Sequence, residues 1–571
     1  LNNMKILHVC FFGFLSVSLM FSQDINQAEV KVLEGFIPEI PESEKIKETT
    51  EFNDTTKIDK VQRYSFLNKT LDISYDSRPL KSAKLSGENL PELKRLSLFL
   101  AGGTHSLHSK ISYNSLRKDD YSYGLIFNQF SNKYKVYYDD DRGVDIFKNS
   151  IINLKAFGKK VGDKNIFVVN LDYDRRISNT GTDFSDPSEH KNCYINRFSY
   201  SKLGVSIFSK ELSDHKLKHK TKFFISDLNE LSENQIHISS ILSKHVYDSP
   251  FTLKLEFNDY INYSNTDSLS SLEKTNVKEL LVSPSTLIQE YGFDFNVGID
   301  LYYQQDLGDS TSFVFAPQLK ISKHLVKNIL YVEGGIRSVR LRNTIKLFSD
   351  ENPFIRALGT NQKHEQNSDI SLNLKSTDTR NELYLGMKNV LSKDEIFDGI
   401  ISYAKISNMP FYYWIDLETN GRFYSSYVDV WRLRVNANYK WQINDLIGVN
   451  ASINYFNYDT IVSNKENING NFGVFLNLDE KIKLNTSISY LGERKSLTAI
   501  GDFETSMVEV NWLDEYILNP QLHANISINY NYTNSIAGYL RINNILNSKQ
   551  EMWKGYREIG VNAWFGLSYL F

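Results

Sequence analysis

Apolar and polar residues alternate with a period of two over much of the chain. In WRLRVNANYKW, residues 431–441, the odd positions hold Trp, Leu, Val, Ala, Tyr and Trp, whereas the even positions hold Arg, Asn and Lys. Because successive side chains of a β-strand point to opposite faces, this segment predicts a strand with one apolar and one polar face. The pattern resumes in GVNASINY, residues 448–455, after the short segment Ile443–Leu446, so the two strands predict a β-hairpin.

Two more hairpins and a final strand are predicted toward the C-terminus. Residues 468–490, INGNFGVFLNLDEKIKLNTSISY, alternate on both sides of a central turn, and residues 521–544, QLHANISINYNYTNSIAGYLRINN, do the same. In the last segment, YREIGVNAWFGLSYLF, every odd position from Ile559 to Phe571 is apolar. The chain is therefore predicted to end in a strand whose apolar face reaches its last residue.

This alternation is found in soluble β-sandwiches as well as in membrane barrels, and three features favour a barrel. Aromatic residues lie near both ends of the apolar faces, as Trp431 and Trp441 do, which is typical of the girdles at the two bilayer interfaces. The opposite faces carry small, hydrophilic residues. Connections come in two lengths: tight turns such as 479–480, and long polar segments that we predict at 265–289 and 347–366.

Burial energetics assign the two faces. A Lys or Arg on the lipid side at mid-bilayer costs about 2–4 kcal/mol, so Arg432 and Arg434 are predicted to line the interior. An open sheet edge in hydrocarbon leaves backbone groups unpaired, so the last strand is predicted to pair with the first, near residues 98–114. The predicted fold is all-β: a transmembrane antiparallel up-and-down β-barrel of about 18–22 strands over residues 96–571.

The N-terminal region predicts export. The apolar stretch 6–21 follows Met-Lys and precedes small polar residues, the order of a secretory signal peptide, which we assign to residues 1–23. Residues 24–95 contain prolines and many Glu and Lys with little periodicity, and we predict an extended periplasmic segment. Cys193 is the single cysteine after the signal, which excludes an internal disulfide framework. The expected location is the outer membrane of a Gram-negative bacterium.

Composition excludes other classes of protein. The chain is 41% hydrophobic, and beyond its first two dozen residues it has no run of about 18–20 apolar residues, so a helical membrane protein is excluded. The formal net charge is -3, which gives no reason to expect a nucleic-acid partner. The many Tyr and Phe fit half-buried strands.

The C-terminal segment resembles the last two strands of TonB-dependent receptors. It contains an Asn-Asn-Ile-Leu-Asn turn region at Asn543–Asn547, an aromatic stretch at Trp553–Tyr556, a glycine at Gly560, and the ending Gly-Leu-Ser-Tyr-x-Phe at Gly566–Phe571. An acidic, lysine-rich N-terminal segment followed directly by a barrel is similar to receptor-like outer-membrane proteins of the Bacteroidetes type.

The resemblance implies partners as well as a fold. It implies a barrel of about 22 strands filled by a plug, but residues 24–95 are too few for a plug, so we expect a plug-less relative. TonB engagement stays open, because Ala28–Leu33 can be interpreted as a TonB box or as an ordinary linker. We expect contacts with outer-membrane lipids, with the barrel assembly machinery, and with a periplasmic or lipoprotein partner. The residues that we expect the assembly machinery to recognise are Phe565, Gly566, Tyr569 and Phe571.

Candidate chemistry is sparse. Asp139, Asp141 and Asp145 have a spacing that could hold calcium, with a solvated acidic loop as the alternative, because the terminal bidentate Glu is missing. His215 and His219 lie four residues apart among lysines, and an ordinary polar strand is the alternative to a zinc site. We find no nucleophile elbow, phosphate loop or zinc-protease motif, and we predict neither an enzyme nor a cofactor.

Basic residues on the predicted inner faces are the remaining candidates for a solute path. They could focus potential for anionic solutes, or they could pair with inward acids such as Glu333. The candidates are Arg432, Arg434, Lys440, Lys481, Lys483 and Arg541. Two functions follow from the sequence: a receptor-like or porin-like transport barrel for an unidentified solute, or a non-conducting scaffold that docks a periplasmic or surface lipoprotein.

Overall fold

The computed structural model describes most of the chain beyond the N-terminal region. The described residues are 94–116, 120–137, 144–179, 195–210, 216–229, 233–246, 249–265, 272–305, 311–355, 374–415, 423–478, 481–500 and 511–571. The predicted signal peptide and nearly all of the predicted periplasmic segment lie outside these ranges.

Twenty-two antiparallel strands form one barrel. The first half of the barrel strands are β1 (Leu96–Gly103), β2 (Ser106–Asn114), β3 (Tyr121–Tyr137), β4 (Val144–Val161), β5 (Asn165–Asn179), β6 (Ile195–Ser209), β7 (Lys218–Leu228), β8 (Glu233–Val246), β9 (Ser249–Asn265), β10 (Leu272–Glu290) and β11 (Phe293–Gln305). The second half begins with β12 (Thr311–Val326), β13 (Leu330–Arg342), β14 (Ser376–Ser392), β15 (Glu395–Ile415), β16 (Phe423–Gln442), β17 (Ile447–Tyr458), β18 (Ile468–Leu478) and β19 (Ile482–Leu491).

The remaining elements complete the barrel and its connections. A hairpin of β20 (Arg494–Ile500) and β21 (Asn511–Leu518) follows β19, and β20 pairs in parallel with the end of β15. The last barrel strands are β22 (Gln521–Asn531), β23 (Ile536–Asn543) and β26 (Asn562–Leu570); a small sheet of β24 (Glu551–Trp553) and β25 (Tyr556–Arg557) lies between β23 and β26. A short helix, α1 (Ile345–Glu351), follows β13. In the described part of the chain, no helix is long and apolar enough to cross a membrane.

The barrel closes between its first and last strands, as predicted. β1 pairs with β26 from Ser97↔Leu570 to Gly103↔Trp564. The backbone N–H groups of Arg95 and Leu96 both donate to the carbonyl of Phe571, at 2.7 and 2.9 Å. Closure satisfies the backbone groups of both edge strands, which hydrocarbon would otherwise leave unpaired.

Large apolar side chains point away from the lumen at alternate positions. On β5, for example, Phe167, Val169 and Leu171 are exposed while the residues between them face inward. Trp431 and Trp441, near the two ends of the outward face of β16, are 43% and 40% exposed, as an aromatic girdle requires. A surface of this kind is stable in lipid and confirms the predicted apolar outer face.

The three predicted hairpins are confirmed. β16 pairs with β17, β18 with β19, and β22 with β23. Short turns, such as 291–292 and 393–394, lie at the end where β1 begins, and long connections, such as 180–194 and 343–375, lie at the other end. In bacterial outer-membrane barrels the long loops are extracellular, so we call this second end the outer mouth.

One predicted long connection is wrong. Residues 272–290, most of the segment that we assigned to a polar excursion at 265–289, form β10, which pairs with β9 and β11 over most of its length. Pro284 obscures the pattern. It pairs with Leu253 on the β9 side, and the regular pairing with β11 is interrupted there, because proline has no N–H to donate. Leu280 and Ile288 nevertheless carry the outward apolar face.

The second predicted long segment does lie in a connection between strands, but it is not entirely polar. The segment 347–366 begins within α1, and its residues from 356 onward lie outside the described ranges. Thr344 caps the helix, and its side chain accepts a hydrogen bond from the backbone N–H of Leu347 at 3.1 Å.

The assignment of faces predicts opposite outcomes at two adjacent residues near the middle of β18. Phe472 is 46% exposed on the outward face, whereas Asn471 faces the lumen. We expect Phe472→Arg to destabilise the barrel by about 2–4 kcal/mol, because it places a guanidinium in lipid. Asn471→Arg, the control, adds the same charge to a hydrated wall and should have a much smaller effect. Guanidinium unfolding in lipid vesicles measures the difference, and equal destabilisation would contradict the assignment.

Candidate functional site: the lumen and its outer mouth

The inner wall of the barrel carries rows of hydrogen-bonded amide side chains. On β15 to β18, Asn438 donates to Asp398 at 2.8 Å and to Asn436 at 2.9 Å. Asn436 then donates to Asn454 at 2.8 Å, and Asn454 to Asn469 at 2.9 Å. Because inward positions alternate with lipid-facing ones, each strand contributes one or two members to the row. The row gives this wall a hydrated, polar surface.

A similar row crosses β2 to β5. The ring of His108 is 2.7 Å from the side-chain oxygen of Asn128, and Asn128 donates to Asn153 at 3.1 Å. Asn153 donates to Asp174 at 2.6 Å. The lumen is therefore polar on both of these walls, as the sequence predicts for a barrel that encloses water.

A β-bulge places an acid between two arginines. The register between β13 and β14 shifts next to Asn381, whose φ is 48°, a left-handed value that Asn tolerates better than most residues. The following residue, Glu382, is buried and accepts a hydrogen bond from Arg337 at 2.7 Å. Arg432 lies 3.4 Å from the other carboxylate oxygen. One carboxylate thus holds two guanidinium groups against the wall.

A second charged cluster lies nearer the outer mouth. Arg340 is 4.0 Å from Glu279 and 3.6 Å from Asp378, and it also contacts the side-chain oxygen of Gln304. Ser376 donates to Glu279 at 3.1 Å. Arg340, Glu279 and Asp378 are largely buried, so the cluster is a packed part of the wall.

The structure places five of the predicted basic residues on inward strand faces, but it does not bring them together. Arg432, Arg434 and Lys440 lie on the face of β16 opposite Trp431. Lys481 is in the turn before β19, and Lys483 and Arg541 lie inward on β19 and β23. Arg432 pairs with Glu382, whereas Glu333, the acid considered in the sequence, pairs with Lys320 at 2.5 Å. Anion selection by these residues stays a prediction.

The remaining sequence candidates have these positions. Asp139 and Asp141 lie outside the described residues, as does the side chain of Asp145. Within the described ranges, no group of three or more His, Cys, Asp or Glu side chains could hold a metal ion. His215 also lies outside, and His219 contacts Asn165 at 3.2 Å. The expected assembly signal lies on β26 and just after it: Phe565, Tyr569 and Phe571 are exposed on the outward face, and Gly566 packs inward against β1.

A short strap at 343–355 crosses the outer mouth. At one wall, Glu233 of β8 accepts hydrogen bonds from the backbone N–H groups of Ile345 and Lys346, at 2.7 and 3.4 Å. Nearby, Asn196 of β6 donates to the carbonyls of Pro353 and Ile355, at 3.1 and 3.0 Å. The Glu233 carboxylate thus pairs N–H groups in the first turn of α1 that have no partner within the helix. This wall therefore fixes both ends of the strap.

The opposite wall holds the same strap through other side chains. Tyr412 of β15 donates to Glu351 at 3.0 Å, and Lys465 pairs with the same carboxylate. Phe348 is 0% exposed and packs edge-on against Tyr412, with ring centroids 5.9 Å apart. In a closed barrel of 22 strands, β6 and β15 lie on nearly opposite sides. The strap therefore spans the mouth.

The hairpin of β24 and β25 completes this cover, which we call the roof and define as residues 343–355 and 551–557. Gly555 has a φ of 80°, which its turn requires and a side chain would strain. The ring of Tyr556 stacks on Phe354 with centroids 3.6 Å apart, and Trp553 lies edge-on to Tyr412 at 5.4 Å. Arg494 donates to the carbonyls of residues 551 and 552, at 3.1 and 2.7 Å.

A cavity of about 670 Å³ lies between the roof and the lumen wall. Its lining combines amide and hydroxyl groups of Asn132, Asn469, Asn471, Ser489, Gln521, Asn525 and Asn543 with apolar side chains that include Leu491, Met552 and Ile559, and its upper surface includes Phe354, Trp553 and Tyr556. An ion pair of His523 and Glu558, 2.9 Å apart, lies at its edge, and burial raises the pKa of the Glu558 carboxyl. Such a space can hold a solute of moderate size by hydrogen bonds and apolar contacts together.

The sequence did not predict the roof. Its parts meet only in the fold, since Asn196 and Ile355 are 159 residues apart. Two signals were available: the aromatic stretch at Trp553–Tyr556, which we noted for its resemblance, and Asn-Pro-Phe at 352–354 in a long polar connection. Both are apolar groups in a place where a simple extracellular loop needs none.

Comparison with known proteins bears on the fold. No protein-family model matches the sequence, and no curated protein matches it. The FrpB iron transporter from Neisseria meningitidis (F3-3 variant) is 9% identical with a TM-score of 0.64, over 84% of this chain and 82% of that one. The ferric-catecholate import receptor Fiu from E. coli K12 is 11% identical with a TM-score of 0.56, over 84% and 82%. The copper transporter OprC is 9% identical with a TM-score of 0.59, over 84% and 80%.

At these identities the likeness shows the fold. The chain has the closed 22-strand barrel of TonB-dependent receptors, which agrees with the resemblance of its C-terminal strands. The proteins of similar structure are transporters and receptors of the Gram-negative outer membrane, not enzymes. The fold is thus that of a large outer-membrane barrel.

Proposed function

We propose that the protein is a receptor-like transport barrel of the outer membrane, which binds a solute at its outer mouth and passes it through the lumen. The observation that carries the proposal is the cavity of about 670 Å³, lined by both hydrogen-bonding and apolar groups, between a folded roof and a hydrogen-bonded wall. An open pore has no use for such a roof. A receptor needs one, because binding must precede passage. The names of proteins with a similar fold, which include iron and copper transporters, support transport in general.

The proposal extends to the N-terminal region and to partners. Residues 1–23 are a signal peptide, and 24–95 are a periplasmic segment too short for a receptor plug, in the manner of the Bacteroidetes type. This segment engages TonB or a periplasmic or lipoprotein partner. The outward aromatics Phe565, Tyr569 and Phe571, with Gly566, are the signal for the barrel assembly machinery, and the outer face contacts outer-membrane lipid.

A specific observation favours one alternative, a non-conducting scaffold. The roof is well packed, because Phe348 of the strap and Tyr412 of the β15 wall are both 0% exposed and in contact. A barrel that never conducts could display this closed surface to a lipoprotein. The two functions differ in whether the lumen conducts once the roof is removed.

Planar-bilayer recordings separate them. We expect the mature chain to be silent, because the roof closes the mouth. A form that lacks residues 24–95 and carries a flexible Gly-Ser linker in place of 345–355 should give stepwise ohmic currents. A form that lacks 24–95 alone is the control for the contribution of the strap. If the doubly altered barrel is folded, as judged by heat-dependent gel mobility, and still silent, transport is contradicted and the scaffold is favoured.

A further inference from the structure

The rim of the outer mouth is notched above the turn between β1 and β2. That hairpin is short, and the N–H of Lys133 on β3 donates to the carbonyl of His105 in its turn at 2.8 Å. β3 continues above this level to Tyr137, and on the other flank the chain rises through 547–561. The notch between them has a volume of about 590 Å³.

Basic side chains dominate the lining of this notch. It includes His105, Lys133, Lys135, Lys549 and Arg557. The acid among the lining residues, Glu558, is already paired with His523 at 2.9 Å. Arg557 is in turn 3.9 Å from Glu551, so the positive charge of the described lining comes mainly from Lys133, Lys135 and Lys549.

The lysines of β3 and β4 face the membrane side. The register of this pair runs without a shift from Tyr121↔Lys160 to the outer end. Tyr121 is 47% exposed on the outward face, so Lys133 and Lys135, an even number of residues further, share that face. Lys148 lies directly opposite Lys133.

Two like charges directly opposite each other in a sheet repel and destabilise the pair. In the described part of the chain, Lys133, Lys135, Lys148 and Lys549 form no ion pair. No described carboxylate therefore neutralises their charge. An external anion between these ammonium groups would remove the repulsion. Its charge must be supplied from the membrane surface or from solution.

On the 547–561 flank of the notch, close packing holds Lys549 in place. A Cβ on Gly560 would lie 3.2 Å from Cε of Lys549 and 2.3 Å from the side-chain oxygen of Asn547. The glycine that we noted in the C-terminal resemblance therefore makes room for the lysine stem. Asn547 also accepts the backbone N–H of Val561 at 3.2 Å, which fixes this flank.

Below the lysines, the outward face becomes apolar first on the neighbouring strand β2, where Leu107, 49% exposed, lies directly opposite Ser131. On β3 itself, Ser131 and Gln129 precede the apolar residues. On β3 and β4 the cross-strand pairs Phe127↔Leu154 and Leu125↔Ala156 follow one another toward the membrane centre. Lys133 is one outward position above Ser131 and therefore lies just above the level of Leu107, where the apolar surface ends and headgroups begin. One molecule with acyl chains and phosphates could contact both surfaces, whereas free phosphate could use only the upper one.

We propose that the notch binds the phosphates of an anionic glycolipid, lipopolysaccharide, in the outer leaflet. The lysines hold its phosphate groups, and the apolar surface below holds its acyl chains. This site adjoins the solute cavity, with which it shares Tyr134, Arg557, Glu558 and Ile559, but Lys133, Lys135 and Lys549 line the notch and not the cavity. Lipid binding there needs no transport.

Titration of fluorescent lipopolysaccharide into the purified full chain in detergent tests the proposal. We expect Lys133→Gln/Lys148→Gln to weaken binding by about 30-fold, since each lysine near an anionic surface contributes about a fivefold effect. Lys549→Gln should weaken binding by about fivefold. Because Lys549 lies in a connection and not in a strand, this variant keeps the test valid if the double variant folds poorly. Lys160→Gln is the matched control, because Lys160 faces outward at the other end of β4.

Two results would overturn the site. Equal affinity of the wild type, the double variant and Lys549→Gln would do so. Displacement of the lipid by millimolar inorganic phosphate would assign the notch to a soluble anion instead.

Discussion

Replacing Phe348 with aspartate is expected to release the strap and open the outer mouth. Phe348 is the fully buried centre of α1, in contact with Tyr412 from the opposite wall. Loss of a buried Phe side chain costs about 3–5 kcal/mol, and an unpaired buried carboxylate adds to that. The hydrogen bonds that Glu233 accepts and that Asn196 donates hold the two ends of the strap at the other wall, and they do not replace the packing of its centre against Tyr412. The strap should therefore leave the cavity without unfolding the barrel.

Leu347→Asp is the matched control for this prediction. Leu347 is the preceding residue of the same helix and is 37% exposed, so the same substitution there keeps the packed face. We expect cells with Phe348→Asp to become sensitive to bulky antibiotics that the outer membrane excludes, and the purified variant to conduct in bilayers. Leu347→Asp should behave as wild type. If both variants stay silent and impermeable, the strap does not close the lumen.

The barrel could be predicted because its information is local. A strand with one lipid face and one hydrated face shows its pattern within about ten residues, as in 431–441 and 468–478. Closure then follows from backbone chemistry alone, because neither end of the sheet can remain unpaired in hydrocarbon. The strand count followed from length, and the observed 22 lies at the upper limit of the predicted range.

The error at β10 shows where local information fails. The inward face of this strand carries Glu279, which contacts Arg340 and Ser376, next to the buried Leu281. A lumen that mixes packed apolar and charged groups has no fixed polarity, and Pro284 adds a break in the pattern. Only the lipid-facing positions of a strand must be apolar. The lumen-facing positions can be polar or apolar, so the alternating pattern can be lost in the sequence.

The candidate site was less predictable than the fold. Periodicity assigned Arg432 to the lumen, but it could not supply Glu382 as its partner, because a bulge at Asn381 sets that register. The roof depends on contacts such as that of Arg176 with the carbonyl of Ser349, 173 residues apart. No short stretch of sequence encodes such pairs.

The barrel seam is where a single added side chain should have the largest effect on folding. Gly566 of β26 pairs with Ala101 of β1, and a Cβ there would lie 2.7 Å from the Cβ of Ala101 and 3.1 Å from the carbonyl oxygen of Leu100. Ala101 is 1% exposed and cannot move aside. Gly566→Val should therefore force β1 and β26 apart, and each backbone group left unpaired in hydrocarbon costs several kcal/mol. We expect no closed barrel.

Gly538→Val is the control, because Gly538 lies on the neighbouring strand β23 and a Cβ there meets nothing within 4 Å. Refolding into lipid vesicles, followed by heat-dependent gel mobility, should give a folded band for Gly538→Val and none for Gly566→Val. Phe571→Ala distinguishes sterics from recognition. Its backbone bonds to Arg95 and Leu96 remain, so it should refold in vesicles yet assemble poorly in cells if the terminal aromatic is the assembly signal that we propose. If Gly566→Val also refolds in vesicles, the seam tolerates separation and Gly566 acts through recognition alone.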